Sequence, residues 1–98
     1  MAEIKFETFP NEPSAFNLYL EEVKIGEMIV EVKDNNLTVY HTEVDPDQSG
    51  NGYAGQLLAE MVAYARAQKL KVIPLCPYVH AQFNRHPDLY ADLWKNED

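Results

Sequence analysis

LTVYHTEVDPDQSGNGYAGQLLAEMVAYARAQKLKVIPL, the stretch from Leu37 to Leu75, changes rhythm three times. Leu37 to Val44 is rich in β-branched and aromatic residues and reads as a strand. Asp45 to Gly52 (DPDQSGNG) contains no aliphatic residue and reads as a loop. From Tyr53 to Gln68, the residues Ala54, Leu57, Leu58, Met61, Val62 and Ala65 recur at separations of three and four, the spacing of one helical face. Lys71 to Leu75 (KVIPL) is a short apolar run suited to a buried strand. Pro74, with no N–H for a ladder, belongs at its end or at a splay point. Strand, helix, strand in this order makes a β-α-β unit, a right-handed crossover between parallel strands.

Working outward, Ala15 to Leu20 reads as a strand with Phe16, Leu18 and Leu20 on one face, followed by a turn near Lys24–Gly26. Glu27 to Lys33 is a second strand, its Met28, Val30 and Val32 alternating with Glu27, Ile29 and Glu31. Asp34-Asn35-Asn36 is a hairpin turn, because Asn and Asp tolerate left-handed backbone angles. With Leu37 to Val44 these strands form an antiparallel meander. Residues 1–13 alternate at Ile4, Phe6 and Thr8 but carry Pro10 and Pro13, so they form a short edge strand or a loose arm. Downstream, Pro77 to Arg85 forms a helix with Pro in its first turn, where a missing N–H costs nothing. Pro87 interrupts it, and Asp88 to Lys95 is a short last helix carrying Leu89, Tyr90, Leu93 and Trp94 to close the core. The fold class is α/β (α+β): one domain over residues 1–98, with a mixed sheet, an antiparallel meander, a β-α-β unit and short C-terminal helices.

A chain of 98 residues supports one core, and 46% apolar residues are enough to fill it, which excludes disorder as the main state. No apolar run approaches the roughly 18 residues of a membrane span. The start MAEIKFETF has acids and no apolar run, unlike a signal peptide. The lone Cys76 cannot form an internal disulfide, which favours a reducing, cytoplasmic setting. The net charge is −8, and all of it lies before Gly50, where Lys5, Lys24 and Lys33 are the only cations against 11 acids. Such a field repels nucleic acid and attracts a cationic partner, or it serves solubility alone. No His, Cys or carboxylate pair has metal-ligand spacing, so no metal is expected. Nothing demands more than a monomer or a weak dimer formed through an edge strand.

The segment Ser49-Gly50-Asn51-Gly52-Tyr53-Ala54 lies between a strand and a helix. Glycines there let backbone N–H groups converge, and the helix N-terminus adds partial positive charge. An anion site then needs no Lys or Arg, and phosphate or pyrophosphate is its natural ligand. The plainer reading is a tight turn.

The run Val44-x-Pro46-x-x-Ser49-Gly50-Asn51-Gly52-Tyr53-Ala54, followed by Leu57-Leu58, resembles motif A of the GNAT superfamily of acetyl-CoA-dependent N-acetyltransferases. Gly52 and Ala54 match its Gln/Arg-x-x-Gly-x-Gly/Ala signature, while Ser49 stands where Gln or Arg is expected. His41-Thr42-Glu43-Val44, Pro74-x-Cys76-x-Tyr78-Val79 and His86-Pro87 are similar to a subgroup of very short GNAT-like proteins. The resemblance runs from Phe16 to Trp94. It implies acetyl-CoA as co-substrate and a primary amine as acceptor. Backbone N–H groups of Gly50, Asn51, Gly52, Tyr53 and Ala54 would hold the CoA pyrophosphate. Thr42 to Val44 would pair with the pantetheine arm as with an added strand. The thioester would sit where the parallel strands splay, beyond Val44 and near Pro74. Asn84 or Arg85 would reach the adenosine end, with Arg85 on the 3′-phosphate.

Two routes of transfer follow. Cys76 lies between a strand and a helix N-terminus that would favour its thiolate, which could take the acetyl group and pass it on; otherwise it is a small buried hydrophobe. In direct transfer the amine attacks the thioester, a base takes its proton and an acid assists the departing CoA. Glu43, His41, His80 and His86 are the candidate bases. His41 alternates onto the face of Val39 and Glu43, so His41 and Glu43 share a site. His86, before Pro87, more simply satisfies a local carbonyl. Tyr78 would protonate the leaving thiolate. The acidic first half suits a small cationic amine or a protein lysine. The alternatives are a non-catalytic acyl-CoA binder or sensor, and a protein-interaction domain that binds no CoA.

Overall fold

A computed structural model describes residues 2–95. The elements run β1 (Ala2–Phe9), β2 (Glu12–Leu20), β3 (Val23–Lys33), β4 (Asn36–Val44), a 3-10 turn (Pro46–Gln48), α1 (Tyr53–Ala67), β5 (Lys71–Pro74), α2 (Pro77–Arg85) and α3 (Pro87–Tyr90). They form one sheet in the order β1-β2-β3-β4-β5, antiparallel through β4 and parallel between β4 and β5. This is the mixed α/β sheet that the order of elements predicts.

One side of the sheet carries the core. Phe16, Leu18, Met28, Val30, Leu37 and Val39 meet Leu57, Leu58, Met61, Val62 and Ala65 of α1, with Val79 and Phe83 of α2. The five α1 residues belong to the predicted apolar face, whose sixth member, Ala54, is only half-buried. Phe6, Phe16 and Tyr64 cluster at centroid distances from 4.7 to 5.6 Å. At the other end Phe83 stacks on Tyr90 at 4.4 Å. Among the described residues, the opposite face of the sheet has no helix against it. Across it the register aligns Lys5, Asn17, Glu27 and Glu43, a polar row on four strands.

Several boundaries differ from expectation, each for a local reason. Residues 1–13 divide: Ala2–Phe9 is an edge strand rather than a loose arm, while Glu12 and Pro13 already belong to β2; Met1 lies outside the described residues. The turn placed near Lys24–Gly26 lies at Glu21-Glu22, both at positive φ (50° and 71°). Gly26 is inside β3, where an added Cβ would meet the Glu43 carbonyl oxygen at 3.2 Å. That glycine serves a close approach of two strands, not a turn. Asp34 and Asn35 do form the predicted hairpin turn, at φ 54° and 67°. The expected helix over Asp88–Lys95 stops at Tyr90. Its remainder is recruited by β5: the Val72 N–H donates to the Leu93 carbonyl at 2.7 Å, and Lys95 N–H donates to Val72 at 2.9 Å.

Candidate active site

β4 is bonded on both flanks only in its first half. β5 pairs with it from Asn36 opposite Lys71 to Val39 opposite Pro74. One further link follows, the Cys76 N–H donating to the Val39 carbonyl at 2.8 Å. Pro74 has no N–H to continue the ladder, and the chain turns into α2 with Cys76 as its N-cap. From Tyr40 to Val44, β4 keeps β3 on one side and, among the described residues, has no strand on the other. The strands therefore part beyond Val39, not beyond Val44 as expected, and the open edge is several residues longer.

A bulge sits at that point. Val30 pairs with Val39 and Ile29 with His41, which leaves Tyr40 as an extra residue. The extra residue reverses the alternation. Before it, Leu37 and Val39 point into the core; after it, Thr42, opposite the buried Met28, takes the core side. His41 and Glu43 take the open face, so the expectation that His41 shares a face with Val39 fails. The pairing of His41 with Glu43 stands: Nε2 and Oε1 lie 3.2 Å apart, with both side chains more than half exposed. The Tyr40 hydroxyl donates to Glu31 Oε1 at 2.8 Å, and that carboxylate holds the phenol above its usual pKa.

On the core side of the open edge, Cys76 is 2% exposed, and its Sγ donates to Thr42 Oγ1 at 3.4 Å. Tyr78, the second residue of α2, is half-buried. Burial, then the neighbouring Tyr90 and Cys76, raises its pKa above the usual phenol value, so the hydroxyl keeps its proton at neutral pH.

At the far end of β4 the chain enters the loop. The Asp45 N–H donates to Ile25 at 2.7 Å, the Asp45 carboxylate accepts from Asp47 N–H, and the Ser49 N–H is spent on Pro46. Gly50 and Gly52 then take φ of 85° and 77°, in the left-handed region. A Cβ at either would meet nothing within 4 Å, so backbone angle alone calls for glycine. Among the described residues, the N–H groups of Gly50, Asn51, Gly52, Tyr53 and Ala54 have no hydrogen-bond acceptor. Gly52 caps α1 without a side-chain bond, and no acid occupies the first turn. Five donors are thus left open at the N-terminus of a 15-residue helix, the end that carries partial positive charge.

The remaining candidates are dispersed. Asn84 Nδ2 lies 3.2 Å from His80 Nδ1, and His80 stacks edge-on to Trp94. Arg85 ends α2 without an ion pair among the described residues. His86 links α2 to α3 through its backbone, and its ring makes no bond to a carbonyl among the described residues. No group of three or more potential metal ligands occurs among the described residues, and no helix there is long and apolar enough to cross a membrane. Tyr40 and its tie to Glu31 escaped the reading of the sequence. The signal was present in the apolar phase of β4, which is odd at Leu37 and Val39 and even at Val44.

The sequence pattern of GCN5-related N-acetyl-transferases matches residues 15–93, so this chain belongs to that family. No curated protein matches it. Among solved structures it is similar to the ribosomal-protein-S18-alanine N-acetyltransferase of Escherichia coli, with a TM-score of 0.70 at 15% identity over 91% of this chain and 76% of that one. The ribosomal-protein-alanine N-acetyltransferase of Brucella melitensis biovar Abortus 2308 gives 0.63 at 19%, over 91% of this chain; the chain spans 66% of that protein's length. A GCN5-like protein of Staphylococcus aureus gives 0.67 at 25%, covering 98% of this chain and 90% of its own.

Proposed function

We propose that the chain binds acetyl-CoA along the open edge of β4 and transfers the acetyl group to a primary amine. The observation that carries this reading is the parting of β4 and β5 beyond Val39, with the N–H groups of Gly50 to Ala54, which have no acceptor among the described residues, at the other end of the same edge. Pyrophosphate suits that cradle of N–H groups. The free backbone groups of Thr42 to Val44 suit the amides of pantetheine, and Val44 to Tyr40 extends about 13 Å at about 3.3 Å per residue, which sets the thioester at the bulge. Arg85 is the cation offered to the 3′-phosphate, with Asn84 beside it.

In the transfer the amine nitrogen bonds to the acetyl carbon, the carbon–sulfur bond breaks, and the nitrogen loses one proton. The His41–Glu43 pair accepts that proton and Tyr78 supplies one to the departing sulfur. Cys76 holds the wall of the site. Its thiol is covered and donates to Thr42, which favours direct transfer over an acetyl-cysteine.

A thermal shift with acetyl-CoA tests the binding step. At a hundredfold excess over the dissociation constant, the protein gains about 2.7 kcal/mol of stability. No shift with acetyl-CoA or CoA overturns the reading. Binding without turnover of any amine supports the non-catalytic acyl-CoA binder instead. Intact mass after incubation reads the route: an added acetyl group on Cys76 contradicts direct transfer.

A further inference from the structure

A cavity of about 890 Å³ opens between the β1–β2 hairpin, the outer part of β3 and the end of α1. Its size is that of small-molecule sites, which run from about 300 to 1,000 Å³. Phe6, Pro13, Ile29 and Tyr64 supply apolar walls; Glu12 and Glu31 are the charged residues of its lining, which includes no Lys, Arg or His. Tyr40 also lines it. That residue is the bulge at which β4 leaves β5, and its side chain crosses to Glu31 on β3, so the cavity reaches the bulge, where we place the acetyl group, from the β3 flank.

From this juxtaposition we infer that the cavity is the acceptor site and takes a small amine with an apolar body and a second amino group, held as an ammonium at neutral pH. This inference rests on the acetyl-donor reading above. The apolar walls remove the body of such a molecule from water. The two carboxylates favour a cation and oppose an amine that carries a carboxylate. Glu31 is held in place, since the Tyr40 hydroxyl occupies Oε1 and leaves Oε2 to accept from an ammonium group. The remote charge would anchor on Glu31 or Glu12 while the other nitrogen, uncharged, attacks at the bulge. A C–N bond forms as the C–S bond breaks; the nitrogen's surplus proton goes to the His41–Glu43 pair and the thiolate gains one from Tyr78.

The test compares cadaverine, a diamine with an apolar spacer, with its monoamine analogue pentylamine and with a lysine-containing peptide, following CoA release. Acetyl-CoA affinity is measured separately by calorimetry. Cadaverine should exceed pentylamine in kcat/KM by about tenfold or more, the ratio of one charge-assisted contact. Glu31→Gln should raise the KM for cadaverine about tenfold relative to pentylamine, and Glu12→Gln should do so by less, with the acetyl-CoA Kd unchanged in both. Equal use of the two amines, or variants without effect on their ratio, overturns the inference while leaving the donor site standing. So does a preference for the peptide that neither variant alters, or acetyl-CoA binding with no small amine turned over. Failure of acetyl-CoA to bind overturns the donor reading itself.

Discussion

From Asn36 to Val39, β4 has β3 on one flank and β5 on the other, and its inward side chains Leu37 and Val39 have no exposure at all. From Tyr40 to Val44 the same strand has β3 alone, a bulge at its start and polar side chains through its middle. The first half is held by burial and two ladders. The second leaves a row of backbone donors and acceptors to be met by something else. One strand thus combines a closed half with an open edge, and Pro74 together with the extra residue at Tyr40 divides the two.

The sharpest break of this contrast comes from the closed half. Leu37→Ala should cost about 2–5 kcal/mol, because the site is fully enclosed and cannot collapse freely; urea unfolding measures it, and acetyl-CoA should still stabilise the folded variant. In the open half, Tyr78→Phe should leave acetyl-CoA affinity intact and lower kcat about a hundredfold, the lower range for a positioned acid. The same residue carries a pH signature. Its pKa is raised on folding, so its contribution is present below the ordinary value of 10 and is lost as pH rises through the higher folded value. Alkaline denaturation should therefore be shallower in Tyr78→Phe than in the wild type. Gly52→Ala should cost about 1–2 kcal/mol through the left-handed angle alone, since the Cβ enters open space, and should weaken acetyl-CoA by turning the cradle's N–H groups. The smallest effect belongs to a contact remote from both halves. Arg66, which bonds Asp92 at 3.0 Å and the Leu89 carbonyl at 2.7 Å on the surface, should cost only about 0.2–1 kcal/mol when changed to Ala.

The closed half was legible in the sequence because burial writes itself as periodicity. Leu57, Leu58, Met61, Val62 and Ala65 announce α1, and Phe16, Leu18, Met28 and Val30 announce two strands. The glycine loop was legible for a similar reason, since only the backbone angles at Gly50 and Gly52 explain those residues. What escaped depends on partners distant in the chain. Gly26 reads as a turn until Glu43 is seen beside it, and Glu21-Glu22 turn against local preference because the β2–β3 register requires it. The segment after Tyr90 has helical spacing, but the free edge of β5 offers it better backbone partners. The residues of the candidate site divided likewise. His41 and Glu43, two apart on a strand, come together as expected, whereas Tyr40 acquired its place only when the bulge left it unpaired and Glu31 met its hydroxyl.

The central claim is that acetyl-CoA lies on the open half of β4 and on the loop that follows it. A titration with acetyl-CoA followed by backbone amide NMR reads both halves residue by residue. The account predicts that the amides of Tyr40 to Val44 and of Gly50 to Ala54 shift together, while those of Leu37 to Val39 stay in place. Shifts confined to the hairpin end of the sheet, or none in the loop at saturating ligand, would contradict it.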